Sequence, residues 1–387
     1  MTAVLIRYHE IALKKGNRPY FIDLLKRNLI SAVGGLPLTE AKTMQGRILL
    51  TFGEKALRED IARRVERVFG VANFSFVERM PADIGELENR IIQALDGRQF
   101  ASFRIDARRA DKEFPLTSPE INRQLGAAVK AKSGARVDLE SAELTISVEI
   151  LPHAAFFGFD KIAGAGGLPV GASGRVVSLI SGGFDSPVAA YRMMQRGCRL
   201  IFVHFHSVPY LDKTSQEKCR DLVKLLTRHQ FTSRLYLVPF GEIQRQIVAG
   251  VLRPLRVVLY RRMMLRIAEA IAKKEKGQAL VTGESLAQVA SQTLENLAVI
   301  GKAATLPLLR PLVGMDKQEI IDQARKIGTF ETSATPDQDC CQLFVPKHPA
   351  TKARLADVES AESGIDFGRL VQAGVEQAAV EEFRFPS

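Results

Sequence analysis

One stretch of this chain can fold in only a few ways. The apolar, branched run Arg175–Ile180 ends directly in Ser181-Gly182-Gly183-Phe184-Asp185-Ser186, and a helical pattern with Pro187 at its first position follows at once. Two adjacent glycines let the backbone turn tightly between strand and helix. Several N–H groups then converge on one concavity at a helix N-terminus, which is an anion site. The hydroxyls of Ser181 and Ser186 add donors. The loop lacks the lysine and spacing of G-x-x-x-x-G-K-[ST], and G-x-G-x-x-G is absent, so neither a nucleotide-hydrolysing P-loop nor a dinucleotide fingerprint is present. Asp185 would be repelled by phosphate unless Mg²⁺ lay between them, so the loop implies that metal, carried by the ligand rather than by a side-chain cage. The plainer reading is a strand-to-helix turn with a capping serine. The coincidence of strand, loop and proline-led helix argues against it.

The pattern around the loop sets the fold class. Residues 175–180, 199–205, 233–240 and 278–283 are short apolar runs, each followed by helical sequence long enough for a right-handed crossover. That predicts an α/β domain with a doubly wound parallel sheet, its ligand at the carboxyl ends of the strands. The uncharged, glycine-rich segment Gly164–Gly174 reads as a linker. Before it, strand-like runs (4–7, 47–52, 102–107, 143–151) alternate with helix-like ones (19–32, 55–68, 84–95, 118–132), one or two small α+β units. Ser118 is the expected N-cap of the last helix, with Pro119 at N1 and Glu120 in the first turn. No apolar run approaches the ~18 residues of a membrane span, and the N-terminus has no signal-peptide core. Four cysteines make no disulfide scaffold, which points to a reducing, cytoplasmic setting.

Charge has a location. The chain is net +11, yet residues 192–266 alone carry fifteen Lys/Arg against four acids, while 356–387 carry two bases and seven acids. A basic block inside an otherwise balanced chain favours an anionic partner, nucleic acid or nucleotide. The acidic end, with the helix-like spacing RLVQAGVEQAAVEEF, is expected to pack on the second half rather than to bind RNA.

Ser181–Ser186 resembles the pyrophosphate-binding loop of the ATP pyrophosphatases, which cleave ATP between the α and β phosphates and pass AMP to a carbonyl-type oxygen. A closer resemblance runs through nearly the whole chain. Arg7–Phe21 (RYHEIALKKGNRPYF) is similar to the opening segment of the tRNA 4-thiouridine synthetases, the ThiI family also linked to thiamine biosynthesis, with His9 where that family usually has Gly. Gly283–Thr293 (GESLAQVASQT) and Asp339–Pro346 (DCCQLFVP) look like its nucleotide-proximal and cysteine segments. The resemblance implies a ferredoxin-like domain (1–75), a THUMP RNA-binding domain (76–165), the linker (166–174) and a PP-loop ATP pyrophosphatase domain (175–387).

That family's chemistry is implied residue by residue. ATP is expected against Leu179, Ile180, His204, Phe205, Arg261, Gly283 and Gln292, with Ser181, Gly182, Gly183, Asp185 and Ser186 around the pyrophosphate. Leu179, Ile180, His204 and Phe205 end strands and would offer backbone groups to an adenine edge. Arg261 would neutralise phosphate charge. Taken alone, His204 would read as a satisfied structural histidine and Gln292 as a solvated helix residue. Adenylylation turns the C4 oxygen of uridine into a good leaving group, and a cysteine persulfide supplies the sulfur.

Cys340 is the expected carrier, with Cys341 or a small-molecule reductant as the resolving thiol. Asp337 and Asp339 would raise rather than lower a neighbouring thiol's pKa. Cys198 and Cys219 read as core packing. Without a C-x-x-C pair an iron–sulfur cluster is disfavoured. No rhodanese segment is expected after Ser387, so sulfur would come from a cysteine desulfurase. tRNA, modified at position 8, would be held in the first half by Arg104, Arg108, Arg109, Lys112, Arg123, Lys130, Lys132 and Arg136, and at the active site by the basic block. Family members act as homodimers. Two other functions remain open: sulfur transfer to a ThiS-type carrier protein, and a non-catalytic RNA-binding role.

Overall fold

The computed structural model describes residues 2–337, 340, 343, 344 and 346–386, and divides into two compact units, Met1–Gly167 and Leu168–Ser387. The first unit runs β1 (Thr2–Arg7), α1 (Arg18–Ala32), β2 (Leu38–Met44), β3 (Arg47–Phe52), α2 (Arg58–Val65), β4 (Asn73–Met80), α3 (Ile84–Ala94), β5 (Ser102–Arg109), α4 (Ser118–Ser133), β6 (Arg136–Val137), β7 (Leu144–Leu151), β8 (Ala154–Gly158) and β9 (Ile162–Ala163). Its strands lie in the order β2-β3-β1-β4-β8-β7-β5-β6, with β9 on β4. One strand joins two halves: Asn73–Val77 of β4 pairs with β1, and Glu78–Met80 with β8. On α3 and α4, Leu87, Ile91, Ile121, Leu125 and Val129 form apolar stripes that pack on Phe103, Ile105 and Ile146 of the sheet.

Arg7, which opens the N-terminal motif, is buried in this sheet. It ion-pairs with buried Glu149 of β7 and donates to Ser75 Oγ (2.9 Å) and Asn73 Oδ1 (3.2 Å), while Arg47 Nε donates to Glu149 at 2.6 Å. Removing one partner of such a pair typically costs about 3–5 kcal/mol, because the other charge stays buried. This arginine therefore holds strands together.

Two helix ends differ from the sequence reading. The cap of α4 is Thr117, not Ser118: the Glu120 carboxylate accepts from the Thr117 N–H and hydroxyl, both at 2.7 Å, and Ser118 Oγ instead accepts the Arg109 N–H at 3.1 Å. Helix α2 is shorter than the 55–68 run because Leu57 is extended (ψ 132°), which delays its start.

The second unit runs β10 (Arg175–Leu179), α5 (Asp185–Gln195), β11 (Arg199–His206), α6 (Thr214–Gln230), β12 (Thr232–Pro239), α7 (Gly241–Gly250), α8 (Arg256–Lys274), β13 (Leu280–Val281), α9 (Leu294–Gly301), β14 (Leu308–Leu309), α10 (Lys317–Ile327), α11 (Phe330–Ala334), α12 (Leu355–Glu362), α13 (Phe367–Glu376) and β15 (Ala379–Arg384). The sheet order is β14-β13-β10-β11-β12-β15, parallel except for β15. Helix α8 is the central buried element: Leu259, Met263, Ile267 and Ile271 pack against Val177, Val203 and Val238 of the sheet. From β10 the chain winds outward through β11 and β12, then returns to β13 on the other side. The crevice therefore opens between the loops that follow β10 and β13.

Two expectations are corrected here. Helix α5 begins at Asp185, so Pro187 is its third residue rather than its first. Proline is tolerated there because the first four N–H groups of a helix have no intrahelical acceptor. The acidic end is helical only through Glu376, and Ala379–Arg384 becomes an antiparallel edge strand on β12. In that position its acids meet the basic block. Glu381 takes three bonds from Arg220 (2.8–3.0 Å), Glu382 one from Arg234 (3.0 Å), and Glu362 four from Arg262 and Arg266 (2.7–2.9 Å). Much of the excess positive charge is thus neutralised inside the unit instead of facing a phosphate backbone.

Candidate active site

The crevice between the loops after β10 and β13 is a cleft lined by Leu179, Ile180, Ser181, Asp185, Ser186, His204, Phe205, Arg261, Gly283, Gln292 and Cys340, with Met264, Thr282 and Glu284. Residues far apart in sequence thus meet in one space. Gly182 and Gly183, the remaining loop residues, sit beside it.

The loop is braced by its serines. Ser186 Oγ accepts the Ser181 N–H (2.8 Å) and lies 3.2 Å from both the hydroxyl and the carbonyl of Ser181. The two glycine positions differ in how closely they are packed. A Cβ on Gly182 would collide with the Asp337 carboxylate and come within 2.9 Å of Lys218 Cδ, whereas one on Gly183 would meet nothing closer than Ser181 Oγ at 3.7 Å. Gly283 is more constrained, because a Cβ there would lie 2.7–2.9 Å from backbone atoms of Asp185 and Ser186. A glycine after β13 is what lets that strand approach the loop.

Asp185 faces a cation already. Its Oδ1 accepts from Lys317 Nζ at 2.7 Å, and Gln288, with its amide oriented to satisfy both neighbours, donates to Asp185 Oδ2 (3.0 Å) and accepts from Lys317 Nζ (2.8 Å). Lys317 also lies 5.6 Å above the Phe184 ring, which stacks on Phe330 at 5.3 Å. Glu284, almost fully buried, is held by Arg310 (2.6 Å) and Thr282 (2.9 Å), with Arg261 at 3.8 Å. No cluster of three or more His, Cys, Asp or Glu able to hold a metal exists among the described residues. Asp185 is one carboxylate beside a phosphate-shaped loop. Mg²⁺ characteristically keeps its waters and binds through one or two carboxylates plus substrate phosphates, so a single carboxylate beside the loop fits an ion carried by a nucleotide.

The strand ends expected at an adenine edge, Leu179, Ile180, His204 and Phe205, all line this cleft. The Ile180 N–H donates to Val203 O (2.9 Å), its carbonyl lies 3.1 Å from His204 Nδ1, and His204 and Phe205 pair with Leu237 and Val238 in the β11–β12 ladder. The Ile180 backbone is thus tied to β11. Gln292 also lines the cleft: it is buried in a short 3-10 turn rather than solvated on a helix, and its Oε1 has no hydrogen-bond partner. An acceptor left unpaired in a cleft costs about 1–3 kcal/mol until a donor arrives.

His204 is buried and satisfied, its ring 3.2 Å from Cys219 Sγ and 3.4 Å from Ser215 Oγ. Its neighbour His206 is pushed down to about 4 by burial, by His204 and by Arg220, so it is neutral at physiological pH. Cys198 is buried, and burial pushes its thiol up, consistent with packing.

Cys340 lies in the wall of the cleft, buried within the core that surrounds α8. Its carbonyl accepts from Gln244 Nε2 (2.9 Å), and Gln244 Oε1 accepts from Ser207 Oγ (2.6 Å), with both Gln244 and Ser207 buried. Upstream, the segment is pinned to the loop: Lys218 Nζ donates to Thr335 O (2.5 Å) and pairs with Asp337 (3.3 Å), and Ser333 Oγ donates to Gly183 O (3.3 Å). Lys218 therefore offsets the charge of Asp337. Cys341 and Asp339 lie outside the described residues.

The eight bases expected to touch RNA are placed on the β5–α4 side of the first unit. Arg108, Lys112, Arg123, Lys130, Lys132 and Arg136 are exposed. Arg104 and Arg109 are half-buried and donate to Thr145 and to the carbonyls of Lys112 and Phe114. Lys317, Gln288, Gln244, Glu284 and Arg310 were not singled out from sequence. Gln288 and Glu284 fall inside the GESLAQVASQT segment, whereas the other three carry no local signal.

Comparisons with known proteins show the family. Residues 171–367 match the family described as Thiamine biosynthesis protein (ThiI), residues 3–75 the ThiI ferredoxin-like domain and residues 81–160 the THUMP domain. A probable tRNA sulfurtransferase of Thermus thermophilus is 48% identical over 100% of this chain and 95% of its own. One from Moorella thermoacetica is 45% identical over 98% and 97%. The crystal structure of a 4-thiouridine synthetase–RNA complex with bound ATP superposes with a TM-score of 0.89 at 34% identity, covering 99% of this chain and 100% of that one.

Proposed function

The chain belongs to the ThiI family, and from that premise we propose how its cleft performs the ATP-dependent sulfuration of tRNA. It is an ATP-dependent tRNA sulfurtransferase. One observation carries the detailed reading: a single cleft brings the Ser181–Ser186 loop, Gln292 and Cys340 together.

ATP lies with its adenine amino group donating to Gln292 Oε1 and its pyrophosphate at the N-terminus of α5. The loop N–H groups and Lys317 hold the departing phosphates, with Lys317 moving from Asp185 to the nucleotide. Asp185, so released, is the side chain that would hold Mg²⁺. When bound, that ion offsets charge on the phosphates. The uridine O4 displaces pyrophosphate from the α-phosphorus, a step that Arg261 assists by neutralising charge. The terminal sulfur of a Cys340 persulfide then adds to C4, and AMP departs with the former O4. The resulting disulfide between Cys340 and the base is opened by a second thiol, Cys341 or an external one. Thiouridine leaves, and Cys340 remains in a disulfide that a reductant must open.

The modified base is 4-thiouridine, at position 8. tRNA meets the first unit through the exposed bases of the β5–α4 side. A cysteine desulfurase supplies the sulfur, the enzyme is a homodimer, and its compartment is the cytoplasm. No described helix is long and apolar enough to cross a membrane. The test is incubation with unmodified tRNA, ATP, Mg²⁺, cysteine and a desulfurase. The reading expects near-ultraviolet absorbance of 4-thiouridine, mapped to one uridine. Sulfur appearing instead on the C-terminus of a carrier protein, with tRNA untouched, would refute it.

A further inference from the structure

Beyond Cys340 the chain passes into a second cleft, lined by Arg253, Arg256, Phe344, Lys347 and His348 together with Pro254 and Pro346. Its two sides are tied. The Ala350 N–H donates to Pro254 O at 2.9 Å, and Gln244 Nε2 reaches the carbonyls of both Cys340 (2.9 Å) and Leu343 (3.5 Å). One side chain, Gln244, thus ties Cys340 to Leu343 beside this cleft.

Three features mark the cleft as a binding surface. Elsewhere in the basic block, Arg220, Arg234, Arg245, Arg262 and Arg266 are each ion-paired, but no carboxylate among the described residues pairs with Arg253, Arg256 or Lys347. Arg256 donates one bond, to Val248 O at 3.3 Å, and its Nε is buried with no acceptor. Phe344 sits at φ 59°, a left-handed conformation unfavourable for a residue with a β-carbon; the residue is 37% exposed and its ring meets that of half-exposed Tyr210 edge-on.

We propose that this cleft binds the ribose–phosphate backbone immediately flanking the target nucleotide, with Phe344 and Tyr210 offering a ring face to a neighbouring base. The inference rests on the tRNA reading above. A base that must react first with ATP and then with the Cys340 persulfide must leave its stack and enter the first cleft. Its flanking phosphates then emerge beside the cysteine segment, where these unpaired cations lie. Cations without carboxylates next to exposed aromatic rings are the chemistry of single-strand recognition, in which bases stack and phosphates meet positive charge. An acidic face on the sulfur donor would need the cations alone and leaves the exposed rings without a role.

The experiment uses the full chain and unmodified tRNA. Arg253→Ala, Lys347→Ala and Phe344→Ala are compared with Lys273→Ala, which removes an exposed charge at the far end of α8, roughly 25 Å away by helix rise. We expect several-fold weaker tRNA binding for the first three and no change for Lys273→Ala. For Arg253→Ala and Lys347→Ala the slope of log affinity against log salt should flatten by about 0.7 for each phosphate no longer neutralised. Arg253→Lys and Lys347→Arg should restore most of the binding. Persulfide loading of Cys340 by the desulfurase, read by mass spectrometry without tRNA, should match wild type. Unchanged tRNA affinity and salt slope would overturn the proposal. So would intact tRNA binding with abolished loading, which would give the cleft to the donor protein. Absence of 4-thiouridine with wild-type enzyme would instead overturn the functional reading, and the binding comparison would still decide this one.

Discussion

Gly283→Ala tests the packing that creates the nucleotide site. An added Cβ would stand 2.7 Å from Ser186 N, 2.8 Å from Ser186 Cα and 2.9 Å from the Asp185 carbonyl carbon. All three are backbone atoms at the start of α5, so no side chain can swing aside, and relief must move either the loop or β13. Overpacking of this kind costs about 1–3 kcal/mol. At about 2–4 °C per kcal/mol for a unit of this size, the thermal midpoint should fall by roughly 2–12 °C. The loop displacement should also raise KM for ATP at least tenfold. Gly183→Ala is the internal control, because its Cβ would meet only Ser181 Oγ at 3.7 Å. It should keep the wild-type midpoint. Differential scanning calorimetry and a KM series on both variants read the two effects separately. If Gly283→Ala keeps both its midpoint and its KM, the close approach of β13 to the loop is wrong.

Three further outcomes follow from particular side chains. Burial alone would raise the Glu362 carboxyl, but its bonds from Arg262 and Arg266 outweigh this and hold it at about 2. Set against an ordinary 4.5, that depression contributes about 3 kcal/mol above pH 4.5, lost as pH falls toward 2. Glu362→Gln should therefore lower the urea midpoint at pH 7, and the gap to wild type should shrink steadily on acidification; a constant gap would contradict this. Gln244→Leu leaves the Ser207 hydroxyl and the Cys340 carbonyl without their buried partner, each at about 1–3 kcal/mol. With the cysteine turn loosened, kcat should drop at least tenfold while KM for ATP stays near wild type, and an unchanged kcat would rule out a positioning role. Lys317→Ala removes the cation beside Asp185 and should cost about 10²-fold in kcat/KM for ATP. Wild-type kinetics would show that Lys317 serves only the apo loop.

What could be read from sequence was what is local. The Ser181–Ser186 loop announces itself because strand, paired glycines and helix start are contiguous, and the strands β10, β11 and β12 because each is a continuous apolar run. The first turn of α5 was displaced by two residues because proline is equally acceptable at its first and third positions. Strand β15 was hidden by the periodicity of α13 just before it, since AVEEF takes its character from the exposed edge of β12 that it covers. The basic block misled for a related reason. Its charge was visible, but the pairing of Arg220 with Glu381 and of Arg262 with Glu362 depends on residues 161 and 100 positions away. The same holds inside the cleft, where Lys317 reaches Asp185 across 132 positions and Gln244 reaches Cys340 across 96. Arg7 shows the converse: a residue in a diagnostic motif whose visible work is to hold four strands together.

The account rests on two separable steps in one cleft, adenylylation at the loop and sulfur delivery from Cys340. The direct measurement is product stoichiometry with unmodified tRNA, ATP, Mg²⁺, cysteine and a desulfurase, for wild type, Asp185→Ala and Cys340→Ser. Wild type should release one AMP and one pyrophosphate for each 4-thiouridine. Cys340→Ser should still release pyrophosphate, with AMP left on the tRNA and no thiouridine made, and Asp185→Ala should release no pyrophosphate and make no thiouridine. Release of ADP and phosphate, or 4-thiouridine formed by Cys340→Ser, would contradict it.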